Sequence, residues 1–241
     1  MKALILAAGI GKRLKSAVPK ILLKIGNKTL LERHYENLIN LGIKNIGIVI
    51  GYKSNKISQF IRVIDTKKKV EIFVNSKFRL GSIVSLVTAE EFLTTKGDTV
   101  LMDGDVLYDK KILKKLINSK KKNCILLDEN FKQGQEPVKV CIKNKTVCDF
   151  GKNVKEDFDI IGESIGFFKF SNLSSIKLLK YAKKVMKLDT NNVYEDAISL
   201  IIKNKIFKIG YENVTNLSWT EIDFKSDLKF AKNKILHRIN E

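Results

Sequence analysis

The stretch Lys2 to Lys20, KALILAAGIGKRLKSAVPK, constrains this chain more than any other. Ala3-Leu4-Ile5-Leu6 is an apolar run of the kind buried on both faces of a parallel sheet, and reads as a first core strand. It ends in Ala7-Ala8-Gly9, small residues that let a backbone come close to a ligand. Gly11 and Arg13 follow, then a short polar link and Pro19-Lys20. A glycine-rich turn behind a first strand presents backbone N–H groups to phosphate oxygens. Two cations, Arg13 and Lys20, suit a triphosphate and a second phosphorylated reactant. A dinucleotide fingerprint is excluded because Leu14 stands where a third glycine is needed, and a P-loop because no Gly-Lys-Ser/Thr follows. For the glycines taken alone, an ordinary tight turn with solvated lysines remains the competing reading.

The rest of the first half alternates strand and helix. A short strand is expected at Ile21 to Ile25, then a helix whose core stripe is Leu30, Leu31, Tyr35, Leu38 and Ile39. Thr29 and Glu32 have the spacing of a capping box. Strands at Asn45 to Ile50 and Val70 to Val74 flank a helix around Ile57 to Val63. This βαβα order argues for an α/β, Rossmann-like doubly wound mixed sheet, mostly parallel. The strand Thr99 to Met102 delivers Asp103-Gly104-Asp105 at its carboxyl end, where such sheets place ligands. A carboxylate facing a glycine-loop triphosphate site suits Mg2+, which takes one or two carboxylates plus phosphate oxygens. Asp103 reads equally as a turn former.

The second half changes character. Strands around Val138 to Ile142 and Thr146 to Phe150 flank Asn144 as a hairpin. A strand at Ser164 to Phe170 and helices near Ser174 to Met186 and Tyr194 to Ile202 follow. Tyr194-Glu195-Asp196 joins an aromatic to two acids, which suits a cationic head group or, alternatively, the first turn of a helix.

LAAGxGxRL followed by PK resembles the signature of the nucleotidyltransferases that join a nucleoside triphosphate to a phosphorylated small molecule. GDVLYD, and Trp219-Thr220-Glu221-Ile222-Asp223 with its amphipathic helix around Leu228, Phe230 and Ala231, resemble the cytidylyltransferase branch acting on phosphocholine or aminoethylphosphonate. The resemblance implies a single domain over 1–241, with a nucleotide-binding half (1–130) and a smaller acceptor-binding α+β lobe (131–241). It implies CTP as donor, Mg2+ as cofactor, a small phosphate- or phosphonate-bearing acceptor, and a homodimer. Leu6, Ala7, Ala8, Gly9, Gly11 and Arg13 are then expected to hold the nucleotide. Gly81, Ser82 and Ser85 of NSKFRLGSIVSL join them with Asp103, although Ser82 also reads as a helix cap. Arg13, Lys20, Asp105 and Asp223 are the catalytic candidates. Asp105 and Asp223 would hold the metal, with Glu221 sharing the face of Asp223 on an extended segment. Asp223 alternatively caps the following helix. Lys20, Lys139, Lys152, Glu163, Tyr194, Glu195 and Asp196 are the acceptor candidates, the lysines also reading as solvated.

Composition sets the remaining bounds. A chain of 241 residues holds one sizeable α/β core. The apolar start is short and lacks a basic leader, and no apolar run spans a membrane, so no membrane insertion and a cytosolic setting are expected. Cys124, Cys141 and Cys148 lack metal-ligand spacing and read as reduced packing residues. The net charge of +19 raises the question of nucleic acid. The lysines are spread in short clusters without interleaved aromatics, so no nucleic-acid partner is expected, while a positive field would speed the arrival of anionic substrates. The rival readings are an inositol-phosphate cytidylyltransferase, a sugar-1-phosphate nucleotidyltransferase using UTP or dTTP, and a nucleotide-binding regulatory protein without turnover.

Overall fold

The computed structural model describes residues 1–67, 69–130, 137–155 and 157–239; Glu136 of the EPVK stretch and Lys68 lie outside them. The chain runs β1 (Lys2–Ala7), β2 (Lys24–Ile25), β3 (Lys28–Thr29), α1 (Leu30–Asn40), β4 (Ile46–Ile50), α2 (Ser54–Ile64) and β5 (Val70–Val74). Next come α3 (Ser82–Thr88), α4 (Glu90–Thr94), β6 (Thr99–Asp103), β7 (Val106–Tyr108), α5 (Lys110–Asn118) and β8 (Cys124–Asp128). Then follow β9 (Lys139–Lys143), β10 (Thr146–Gly151), β11 (Ile160–Phe170), α6 (Asn172–Leu188) and α7 (Tyr194–Lys203). The chain closes with β12 (Gly210–Asn213), β13 (Trp219–Glu221) and α8 (Lys225–Phe230).

The central sheet has the order β10-β9-β11-β6-β1-β4-β5, with β8 pairing β11 and β12 off that path. Strands β6, β1, β4 and β5 are parallel. Their apolar side chains are buried from both faces in β1, β4 and β6, as a sheet covered by helices on each side requires. β11 runs antiparallel to β6, β8 and β9, so the two halves of the chain share one mixed sheet. One core layer packs Ile5, Ile48 and Met102 under α1 and α5; the other packs Leu4, Val49, Leu101 and Phe168 under α3, α6 and α7. Cys124 is buried in the first of these layers and Cys141 is buried on β9, as expected of packing residues, whereas Cys148 is only partly buried.

Most expected elements are present. The capping box forms, with the Glu32 N–H donating to Thr29 Oγ1 and the Thr29 N–H donating to the Glu32 carboxylate. Asn144 and Lys145 take left-handed φ of 50° and 61°, the geometry of a two-residue hairpin turn. The strand expected at Ile21 to Ile25 is not one. Pro19 starts a 3-10 turn over Lys20–Leu22, and only Lys24–Ile25 is extended, in a hairpin with β3. The tight turn buries Ile21 and lifts Lys20 to the other side, toward the carboxyl end of the sheet. α5, β8 and β12 were not anticipated from the sequence. β12 has no apolar alternation, and pairs with β8 through long-range contact alone.

Candidate active site

The site is built where β1 and β6 end side by side. Leu6 lies in register with Asp103, and the Leu6 carbonyl accepts the N–H of Gly104 at 3.0 Å, which pins the Asp103-Gly104-Asp105 turn to the end of β1. From below, buried His34 places Nε2 3.3 Å from the carbonyl oxygen of Gly104. A carbonyl only accepts, so Nε2 carries the proton. Burial depresses the imidazole to a pKa of about 4 and keeps it neutral. β13 then pairs antiparallel with β7, and the Ile222 N–H donates to the Asp105 carbonyl at 3.0 Å. That pairing delivers Glu221 and Asp223 beside Asp105.

Gly11 turns the loop after β1 with φ 65°, a conformation that side chains disfavour, and a Cβ there would lie 2.9 Å from Lys20 Cγ. The Lys20 chain thus passes directly over the glycine turn. Its Nζ lies 2.8 Å from Asp105 Oδ2 and also donates to Asp223. Burial alone would lower the pKa of Lys20; Asp105 and then Asp223 reverse this and leave it raised, so the ammonium is firmly charged. Arg13 pairs with the other oxygen of Asp223, and its guanidinium stands 5.0 Å from the Phe224 ring centre. The Arg13 side chain is 61% exposed, so it has room to swing toward a ligand. The amides of Gly9, Ile10 and Gly11 donate to no group among the described residues, and remain open to an anion.

Asp105, Glu221 and Asp223 each offer one carboxylate oxygen within 4.8 Å of the others. Lost hydration among the crowded acids, followed by the charges of Asp105 and Asp223, pushes Glu221 up to about 8, although the residue keeps an exposed surface. Three crowded oxygen donors with one strained charge fit a small hard cation such as Mg2+, and these three residues could hold it. Asp223 is not a helix cap: Asp227 accepts the N–H groups of Asp223 and Phe224 at the start of α8.

A second acidic cluster faces the first from α7 and β11. Tyr194 is buried and its hydroxyl donates to Asp103 Oδ2 at 2.8 Å. Gly166, at φ 77°, lets β11 pass this carboxylate, into which any Cβ would collide. Burial first, then Glu195 and Asp105, holds Asp103 well above the usual carboxylate range. Burial, with Asp196 and Asp105 behind it, raises Glu195 to about 7, and Glu195 Oε2 has no partner among the described residues. Glu163 lies opposite Asp128 on β8 and Lys139 on β9. Burial and then Asp128 raise Glu163 to about 7. Asp128 in turn accepts the indole N–H of Trp219 at 2.7 Å.

The structure therefore joins Arg13, Lys20, Asp105, Glu221 and Asp223, and sets Asp103, Tyr194 and Glu195 beside them, while Glu163 meets Asp128 and Lys139 across the sheet. Other expected residues are engaged elsewhere. The Gly81 N–H donates to the Thr190 carbonyl at 2.9 Å, so it is not open to a base. Ser85 is buried and its hydroxyl accepts from Asn75 Nδ2 at 3.0 Å, inside the core rather than at the turn. Ser82 does not cap its helix: Gly81 is the N-cap, and Ser82 Oγ accepts the Tyr194 N–H at 3.0 Å. The Asp196 carboxylate accepts the Val193 N–H at 3.0 Å, the first-turn role weighed for it above. Lys152 lies within electrostatic reach of Glu195. Asp128 was missed, although an acid ending an apolar strand, CILLD, is the same signal that marked Asp103.

An open sheet with a glycine turn and cations facing strand-end carboxylates is the architecture of a nucleotidyl-transferring enzyme. Residues 3–153 match the family model of the MobA-like NTP transferase domain, and the chain belongs to that family. It is 26% identical over 251 residues to a CTP:phosphoglutamine cytidylyltransferase of Campylobacter jejuni, covering 95% of this chain and 98% of that one. It is also 26% identical over 248 residues to the bifunctional protein GlmU of Thermoanaerobacter pseudethanolicus, of which it spans 52%. Among solved structures, the inositol-1-phosphate CTP transferase from T. maritima superposes with a TM-score of 0.79 over 100% of this chain and 98% of that one, at 19% identity. A CTP:phosphocholine cytidylyltransferase from Streptococcus pneumoniae gives 0.72 over 96% and 97%, at 20% identity. These likenesses establish a nucleotidyltransferase fold.

Proposed function

We propose that the protein transfers CMP from CTP to a small acceptor bearing a phosphate or phosphonate, releasing pyrophosphate. The observation that carries this reading is the facing pair of Lys20 with Arg13 and the Asp105-Glu221-Asp223 group, closed over an open-amide glycine turn. The end-to-end relative from Campylobacter supports CTP as donor and a phosphorylated small molecule as acceptor.

In such a transfer an acceptor oxygen attacks the α-phosphorus in line, and the bond to the pyrophosphate oxygen breaks. The acceptor oxygen is already an anion at neutral pH, so no general base is needed, and positioning and charge dominate. The amides of Gly9 to Gly11 and Arg13 hold the leaving pyrophosphate. Lys20 draws the acceptor toward the α-phosphorus and balances the charge that builds there. Asp105, Glu221 and Asp223 would hold Mg2+, which when bound supplies positive charge to the phosphate oxygens. Glu195, Asp103 and Glu163 line the acceptor side, with Tyr194 fixing Asp103, a setting that favours an amine-bearing or hydroxyl-rich head group.

Pyrophosphate release with Mg2+ tests this, using each of the four common nucleoside triphosphates against phosphoglutamine, phosphocholine, aminoethylphosphonate, inositol phosphate and glucose-1-phosphate. Turnover restricted to CTP is the expected result. Turnover with UTP or dTTP and the sugar phosphate would overturn the cytidylyl reading, and would favour the chemistry of sugar-phosphate relatives.

A further inference from the structure

Helix α6 contains no acidic residue and buries one side, where Leu178, Leu179, Ala182 and Val185 pack into the core. Its other side is a mixed face. Lys177, Lys180, Lys184 and Lys187 are exposed there, and so are three large aliphatics: Leu173 at 74%, Ile176 at 40% and Leu188 at 83%. At 100° per residue these seven positions fall within an arc of about 120°. Lys177, Lys180 and Lys187 make no ion pair among the described residues, and the Lys184 ammonium lies 4.9 Å from the Tyr181 ring centre. The flanking charges are settled locally: Glu90 is paired with Lys183, and Asp189 accepts from Asn191 beyond the helix end.

A merely solvated lysine face has no use for three exposed aliphatics. A protein partner is disfavoured by the lysine, which protein interfaces deplete. A nucleic-acid backbone answers the charge but offers nothing to the aliphatics, and no stacking aromatics alternate with the lysines. An anionic bilayer surface answers both: aliphatic bodies enter the headgroup boundary while lysine stems snorkel outward.

We propose that α6 lies flat on an anionic lipid surface, as a peripheral contact. The helix has 17 residues, about 25 Å of length. It starts after Phe170, which pairs with Thr99 at the foot of β6, and returns toward the catalytic end, where Asn192 accepts the Ile83 N–H. The site thus opens beside the docked helix rather than beneath it. No described helix is long and apolar enough to cross a membrane, which fits surface contact alone.

Flotation of the full chain with vesicles tests the proposal, using phosphatidylglycerol and phosphatidylcholine in equal parts against phosphatidylcholine alone. The chain is expected to float with the anionic vesicles only. Each lysine near such a surface contributes about fivefold to partitioning. The variant Lys177→Gln/Lys180→Gln/Lys184→Gln/Lys187→Gln is therefore expected to lose at least about a hundredfold. Leu173→Ser/Leu188→Ser is expected to lose about tenfold. Lys44→Gln/Lys114→Gln/Lys120→Gln/Lys122→Gln makes the same charge change at exposed positions elsewhere and should keep most of the binding. Equal loss in that matched variant, or no effect of the serine pair, would reduce the contact to diffuse charge and overturn the proposal. So would absence of flotation, or α6-dependent binding to duplex DNA instead of vesicles. All variants change solvent-facing positions, and unaltered melting temperatures would show that each loss is one of contact and not of folding.

Discussion

Lys20 is bonded to two carboxylates at once, so its removal differs from the removal of either partner. Lys20→Ala leaves Asp105, Glu221 and Asp223 facing one another with Arg13, on Asp223, as their remaining counter-charge. It is expected to cut turnover by about 10²-fold or more and to destabilise the fold by about 1–3 kcal/mol. Asp105→Asn is expected to cut turnover as deeply, yet to melt at or above the parent temperature, because it removes one of three crowded acids. Pyrophosphate release and thermal melts on the same preparations separate the two; a clear drop in the melting temperature of Asp105→Asn would contradict this account. Glu163 gives a pH prediction. Its pKa rises from 4.5 to about 7 in the folded chain, so the fold holds this proton better than the unfolded chain does. The stability it lends is therefore complete below about 4.5 and lost as pH rises through about 7. Glu163→Gln should flatten that decline in melting temperature between acid and neutral pH. Asp103 read equally as a turn former, whereas Arg13, Lys20 and Asp105 were legible in the sequence because LAAGxGxRL, PK and GDVLYD carry a known pattern. The engagement of Gly81 with Thr190 and of Ser85 with Asn75 was not, because neither spacing nor composition reveals which partner a polar group will meet in space.

At the scale of elements, the legible pieces were those that carry their own pattern. β1, β4 and β6 are unbroken apolar runs buried on both faces, and α1 has both a stripe and a capping box. The box predicts that Thr29→Ala will cost about 1 kcal/mol, read as a lowered urea midpoint with unchanged slope. β12, with the sequence GYEN, becomes a strand only because β8 offers it an edge. The turn at Pro19 shows the reverse case. Ile21 to Ile25 has apolar residues in plenty, but Pro19 and the hairpin at Gly26 shorten the extended part to two residues. The same turn that spoils the strand carries Lys20 to the carboxylates.

At the scale of the whole molecule, the net charge is +19 and the proposed substrates are anions. Raising the ionic strength is expected to raise KM for the nucleotide more than it lowers kcat, as screening weakens long-range attraction; a salt effect confined to kcat would argue against steering. The course of β11 has a different consequence. This one strand, from the second half of the sequence, is hydrogen-bonded to β6 and β8 of the first and to β9 of its own half. Cutting the chain near residue 130 would strip β6 of one of its two neighbours and set β8 adrift, exposing a raw apolar sheet edge of the kind that seeds aggregation. The first half of the chain is thus not a portable module: a fragment of residues 1–130 expressed alone should be insoluble, and co-expression with the remainder should restore it.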